Sequence, residues 1–186
     1  MEKLYSLVIQ PPEPILASIM SMKEQLAAEV GWFNSKNSVG HITICEFKAT
    51  GTSIEVIKNQ ISKLCDALSP IVVYLNEFST FSNGAFVINP DSNSKKRVKE
   101  IMKLFHKSLL IPSMKKSDNP HLSIARKLSP QNLIKANHLF TTINLNFVCD
   151  NVVLRLFDED KKQFFVTDTF EFKSNKQSEA IQGELF

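Results

Sequence analysis

Two short stretches limit what this chain can become: His41-Ile42-Thr43-Ile44 and His121-Leu122-Ser123-Ile124, whose histidines lie 80 positions apart. Each is a histidine, an apolar residue, a hydroxyl residue and an isoleucine. In a strand, residues i and i+2 point to the same face, so each stretch presents an imidazole beside a hydroxyl. In a helix the same spacing turns the two side chains apart. A third copy of the three-letter pattern, His106-Lys107-Ser108, lies within a helical periodicity, so His106 is expected to be a helix-face residue. His138, in a short helix, is expected to be structural as well.

The flanking sequence supports strands at both places. Residues 4–10 read as a buried strand stopped by Pro11-Pro12. A helix follows from residue 13 or 14 to Gly31, with Ile15, Ile19, Met22, Leu26 and Val30 on its apolar face. A polar loop, 32–40, delivers His41. In the strand 41–47, His41, Thr43, Cys45 and Phe47 share one face, and Ile42 and Ile44 take the other. Thr52-Ser53-Ile54-Glu55 has the form of a capping box opening a second helix, which buries Ile54, Ile57, Ile61, Leu64 and Leu68 and ends at Pro70. Strands over 71–78 and 84–88 are joined by a turn at Ser82-Asn83-Gly84.

Asn89-Pro90-Asp91-Ser92 opens a helix over roughly 93–110, with Val98, Ile101, Phe105 and Leu109 inward. A polar, flexible segment over 112–120 ends at Pro120, which forces an extended entry into the second motif strand, 121–127. Ser129-Pro130 reads as N-cap and first turn of a short helix with Leu133, Ala136 and Phe140 inward. Residues 143–149 alternate as a half-buried strand, and 152–157 with 164–172 form a hairpin. The order strand, helix, strands therefore occurs at 41–88 and again at 121–172. That repeat predicts a duplicated α+β lobe with pseudo-twofold symmetry, and the symmetry places the two histidines opposite each other.

The 186 residues suffice for one domain with a sizeable core, expected over 1–172, followed by a polar, loose tail from 173 to 186. A net charge of +3 does not point to extensive contacts along a nucleic-acid duplex. Cys45, Cys65 and Cys149 are odd in number and widely spaced, and with no H-E-x-x-H or C-x-x-C a disulfide framework and a zinc site are both disfavoured. The amino-terminal apolar run is too short for a signal peptide, and no run reaches the ~18 apolar residues of a membrane span. A cytoplasmic monomer without cofactor is the expectation.

Two opposed imidazoles serve general acid–base catalysis: one takes a proton while the other gives one near neutral pH. Hydroxyls beside them donate to phosphoryl oxygens as charge develops. The two motifs, with Ala125-Arg126 after the second and the early strand ending in Pro-Pro-Glu, resemble the paired H-x-T/S motifs of the 2H phosphoesterase superfamily, and most closely its bacterial 2′-5′ RNA ligase (LigT-like) branch. The resemblance covers most of residues 1–172. It implies a two-lobed α+β fold of mainly antiparallel sheets with outer helices around a central cleft. It implies metal-independent cleavage of 2′,3′-cyclic phosphates, or cleavage or joining of 2′-5′ linkages, in RNA or nucleotides.

Carried over to this chain, His41 and His121 are the acid–base pair, with the second more often the base, and Thr43 and Ser123 bind the phosphate. Arg126 matches an arginine that positions phosphate or ribose. On an ideal strand, however, Arg126 points away from His121, and it reaches the cleft only where the strand twists, bulges or ends. Glu46 stands where many relatives of that branch place an apolar or aromatic residue, and Phe47 follows it, so the base-stacking contact is unassigned. The alternative is an RNA- or nucleotide-binding module, non-catalytic or weakly catalytic, using the same cleft. Lys95-Lys96-Arg97 and Lys115-Lys116 read as solvated charge that guides a polyanion if it flanks the cleft. The end of the chain, Gln182-Gly-Glu-Leu185-Phe186, has the spacing of a sliding-clamp peptide, against a plain tail as the simpler reading.

Overall fold

The computed structural model describes residues 1–175. The elements, in order, are β1 (Lys3–Ile9), α1 (Glu13–Val30), β2 (Ile42–Ala49), α2 (Gly51–Ala67), β3 (Ile71–Thr80), β4 (Phe86–Pro90), α3 (Ser92–Ser108), β5 (Lys115–Lys116), β6 (Leu122–Ala125), α4 (Pro130–Leu139), β7 (Leu145–Cys149), β8 (Asn151–Asp158) and β9 (Gln163–Glu171). The nine strands make one antiparallel sheet in the order β7-β3-β4-β6-β2-β1-β8-β9, with β5 attached beside β2. The expected α+β architecture with outer helices is present.

The two motif strands are neighbours at the centre of that sheet, paired at Ile42 and Leu122. Outward from this pair lie β1 and β4, then β8 and β3, then β9 and β7. A pseudo-twofold axis therefore passes between Ile42 and Leu122. The repeats exchange strands across it. β3 follows α2 in the chain but pairs beyond β4; after α4, β7 crosses to pair with β3 and β8 pairs beyond β1. Helices cross over too: α1 packs on β6 and α3 packs on β2. The lobes are thus the two halves of one sheet, each built from both repeats.

The core lies between the helices and one sheet face. Leu7, Ile9, Ile42 and Ile44 from one half and Phe86, Ile88, Leu122 and Ile124 from the other meet Ile19, Leu26, Ile61, Val98 and Phe105 from the helices. The opposite face carries Thr43 and Ser123 opposite buried valines, Val8 and Val87. Directly paired residues of antiparallel strands share a face, so the hydroxyls stand on the side away from the helices.

Several local expectations shift. The cap of α2 is Thr50, not Thr52: Ser53 N donates to Thr50 Oγ1 at 3.2 Å and Thr50 N donates to Ser53 Oγ at 2.8 Å, so Ser53 closes the box in place of Glu55. Asn89 and Pro90 finish β4, and Asp91 caps α3 through Ser94 N at 2.6 Å. Within the segment expected to be flexible, Lys115 and Lys116 pair with Glu46 and Cys45. Lys173, Ser174 and Asn175 are not loose: their N–H groups donate to the α2 carboxyl-terminal carbonyls of Cys65, Leu68 and Asp66. The peptide-like end at Gln182–Phe186 lies outside the described residues.

Candidate active site

Both motif strands carry a β-bulge at the same place. Leu7 pairs with Cys45 and Val8 with Thr43, which leaves Ile44 unpaired; Phe86 pairs with Ala125 and Val87 with Ser123, which leaves Ile124 unpaired. One extra residue reverses the in–out alternation beyond it. Cys45 and Phe47 therefore turn into the core and do not share the face of His41 and Thr43, correcting the strict alternation expected from the sequence. Glu46 and Arg126, five residues after their histidines, come round to the histidine face. The bulge is what brings Arg126 to the site.

The bulges are braced. The Ile44 carbonyl accepts from His106 Nε2 at 2.8 Å and from Ser117 N at 3.0 Å. The Ile124 carbonyl accepts from Ser35 Oγ at 3.4 Å. His106 is thus structural, as expected, and it holds the shape of the first motif. His138 is exposed on α4.

The two imidazoles are held alike. His41 Nδ1 lies 2.7 Å from the Val39 carbonyl oxygen and His121 Nδ1 lies 2.8 Å from that of Asn119. A carbonyl only accepts, so each ring carries its proton on Nδ1 and leaves Nε2 with a free lone pair. Continuing the Ile42–Leu122 pair by one residue each way sets His41 against Ser123 and Thr43 against His121. Each imidazole thus neighbours its own hydroxyl along the strand and the partner motif's hydroxyl across the pair. The Phe81 and His121 rings meet in a T-shape, with centroids 5.0 Å apart and planes at 87°.

Burial and neighbouring cations lower both rings. Burial, followed by Arg155, Lys23 and Arg126, pushes the His41 imidazole down to about 3. Burial, with Arg126 and Lys95, lowers His121. Arg126 is exposed, and its charge lowers both rings. Burial first, and repulsion from these cations second, disfavours the protonated form of both rings.

Two of these cations are absent from the sequence-based site. Lys23 is fully buried on α1, and its ammonium donates to Ser35 O at 2.8 Å, Ser38 O at 2.6 Å and Ser38 Oγ at 3.2 Å. It ties down the loop that delivers His41. The signal was available: Lys23 sits four residues after Ile19 and three before Leu26 on the apolar face. Arg155 interrupts the apolar run of β8. It is 4% exposed, donates from Nη2 to Ser6 Oγ at 3.2 Å, lies 5.1 Å from the Phe164 ring centre and has no partner at Nε. Register places Glu46, Ser6 and Arg155 in one row across the histidine face.

A cavity of about 710 Å³ opens elsewhere, at the far edge of β2 between Phe47, Ile57, Leu110 and Ile111, and none of the paired imidazoles or hydroxyls lines it. Among the described residues no three His, Cys, Asp or Glu side chains converge as a metal donor set. Nor is any helix among them long and apolar enough to cross a membrane.

The lowered imidazoles make stability depend on pH. Below ~6.5 the unfolded histidines bind protons that the folded rings refuse. This contribution is complete above ~6.5 and is lost as pH falls, at up to ~1.4 kcal/mol per unit for one ring. For His41 the loss runs on towards about 3. Urea midpoints should fall between pH 6.5 and 4, and fall less steeply in His41→Asn.

A family model described as the 2′-5′ RNA ligase superfamily matches residues 11–161. No curated protein sequence matches the chain. Among solved structures, E. coli LigT complexed with 3′-AMP superposes with a TM-score of 0.67 at 9% identity, covering 92% of this chain and 99% of that one. TT0787 of Thermus thermophilus gives 0.63 at 14% identity, covering 91% and 98%. Usb1 of Kluyveromyces marxianus gives 0.55 at 12% identity, covering 91% and 97%. At these identities the likeness is one of fold.

Proposed function

The chain belongs to the 2′-5′ RNA ligase superfamily, and on that footing we propose that it is a phosphoesterase opening 2′,3′-cyclic phosphates of nucleotides or RNA ends through His41 and His121. The observation that carries this reading is the pair of Nε2 atoms left free by matching Nδ1 contacts to the Val39 and Asn119 carbonyls, on neighbouring strands of one sheet. Thr43 and Ser123 hydroxyls donate to the phosphoryl oxygens, and Arg126 holds the anion from the open side. The same constellation run in reverse joins a 2′ or 3′ hydroxyl to the phosphate, which is the family's 2′-5′ linkage chemistry.

His41 is the base and His121 the acid, the reverse of the order the resemblance implies. Pairs of titratable groups take their roles from environments that push them apart. Burial lowers both rings; beyond the Arg126 that both feel, Arg155 and Lys23 act on His41 and Lys95 on His121, and His41 is pushed down to about 3. The bound phosphate offsets the positive field and lets His121 take up a proton. His41 Nε2 removes a proton from water as its oxygen attacks phosphorus. The bond from phosphorus to the leaving ribose oxygen breaks, and His121 Nε2–H gives that oxygen its proton. The two imidazoles supply both proton transfers and the cations neutralise the phosphate, so no step calls on a metal ion.

Incubating the protein with a 2′,3′-cyclic nucleotide in EDTA should give a single phosphomonoester, seen by phosphorus NMR. Binding without turnover supports the non-catalytic module instead. Turnover that disappears on chelation would sink the two-histidine mechanism.

A further inference from the structure

Ile9, Ile42, Leu122 and Ile88 form one core-facing row across β1, β2, β6 and β4, each paired with the next. Residues one step to either side of that row turn to the histidine face. Continuing the register, one row there reads Gln10, His41, Ser123, Val87, and the other reads Val8, Thr43, His121, Asn89. The pseudo-twofold axis exchanges the two rows, so Gln10 stands to His41 as Asn89 stands to His121. Each imidazole thus has a hydroxyl on one side and a carboxamide on the other. Both amides are half-buried, like the imidazoles and hydroxyls between them. Gln10 Oε1 and Asn89 Oδ1 are closed off from solvent and accept no hydrogen bond from any described residue. The other such atoms among the described residues belong to charged side chains, Asp66, Arg155 and Asp168. Asn89 Nδ2 donates to Ser79 Oγ at 2.8 Å, and Ser79 pairs with Val87 on the same face, which leaves the oxygen as the free end of that amide.

We propose that Gln10 and Asn89 contact the substrates directly, each accepting a hydrogen bond from the oxygen whose proton the neighbouring imidazole moves. This rests on the phosphoesterase reading of the paired imidazoles and adds two residues to it. A buried acceptor without a donor is costly, and two of them at equivalent places in one cleft call for a common kind of partner. The attacking water has two hydrogens. One passes to His41 Nε2 as the bond from its oxygen to phosphorus forms, and the other donates to Gln10 Oε1. On the far side the bond from phosphorus to the ribose oxygen breaks. That oxygen takes the proton of His121 Nε2, and the new hydroxyl donates to Asn89 Oδ1. An amide accepts without adding charge, whereas a carboxylate beside either imidazole would favour its protonated form.

The test uses Gln10→Met and Asn89→Leu, changes of similar size that delete the acceptor, with a 2′,3′-cyclic nucleotide in water–methanol mixtures. Methanol attacks as water does but has no second hydrogen for Gln10. In Gln10→Met hydrolysis should fall roughly tenfold, the worth of one neutral hydrogen bond, while methanolysis stays within about twofold. The ratio of methyl diester to monoester therefore rises. In Asn89→Leu both products should fall together and the ratio hold, because the leaving hydroxyl is common to both. A merely structural Gln10 would lower both products alike, and that result overturns its assignment. Binding reads Asn89 without turnover. Calorimetry compares adenosine 3′-monophosphate with its 2′-deoxy form, and adenosine 2′-monophosphate with its 3′-deoxy form. Wild type should favour the hydroxyl form of at least one pair by roughly fivefold, and Asn89→Leu, but not Gln10→Met, should erase that preference. A wild type with no preference, or a preference that Asn89→Leu leaves untouched, overturns the Asn89 contact. A wild type that keeps the Asn89-dependent preference yet converts no cyclic nucleotide overturns the phosphoesterase reading and Gln10's part with it, and leaves the Asn89 contact standing.

Discussion

Replacing either His41 or His121 by alanine is expected to lower kcat for a 2′,3′-cyclic nucleotide by about 10²–10⁴-fold, the usual worth of one positioned acid or base. KM should move little, because neither imidazole is the main holder of the anion; Arg126 and the hydroxyls are. The double variant should be scarcely worse than either single one, since groups that act as a unit are not additive. His138→Ala, on an exposed face of α4, should retain full activity. The pH profiles separate the two roles. If His41 is the base, an imidazole already neutral across the working range, kcat/KM keeps no acidic limb from it near neutrality. The alkaline limb of kcat then reports His121, the acid, with phosphate bound, whereas that of kcat/KM reports it in the free protein, below its ordinary range. Rates are measured in EDTA throughout, and a single variant that keeps more than a tenth of wild-type kcat removes its histidine from the mechanism.

The two motif strands were legible because the strand period and the matched isoleucines restrict them, although they prove to be neighbours in one sheet and not members of two facing lobes. Both motifs show the same burial along residues 41–45 and 121–125, half-buried hydroxyls and histidines alternating with buried isoleucine or leucine. The bulges were not legible as such. Their trace is two consecutive buried residues, Ile44-Cys45 and Ile124-Ala125, which strict alternation forbids on a strand with one open face. Read that way, the sequence would have turned Cys45 and Phe47 inward and Arg126 towards the cleft. The exchange of strands across the pseudo-twofold leaves no local trace, because each strand's hydrophobic pattern is indifferent to which neighbour it pairs with. Lys23 and Arg155 were hidden for a related reason. A long cation in an apolar stripe is usually taken to reach solvent, whereas here Lys23 finds three oxygens of the His41 loop and Arg155 lies beneath Phe164.

Gly84→Ala is expected to have the largest effect on stability among substitutions outside the cleft. Gly84 sits at φ +79, where a Cβ costs about 1–2 kcal/mol. A Cβ built there meets Leu128 O at 2.5 Å, Leu128 N at 2.9 Å and the Lys127 carbonyl carbon at 3.2 Å. All three are backbone atoms, and Leu128 N donates to Gly84 O at 2.9 Å, so neither segment yields without losing that bond. Overpacking of this kind adds about 1–3 kcal/mol. The sum, on the order of 3 kcal/mol, lowers Tm by roughly 10 °C in a chain of this size. Gly31→Ala is the matched control: its φ is +77 but nothing lies within 4 Å of the added atom, so it carries the strain alone. The site responds differently to the two. Gly84 faces the residues that directly follow Arg126, and its turn carries Phe81 against His121. Gly84→Ala should therefore raise KM for the cyclic nucleotide in the protein that remains folded, whereas Gly31→Ala lowers Tm and leaves KM unchanged. Equal thermal shifts in the two variants would mean that the turn of β3 and β4 is not wedged against the segment after Arg126.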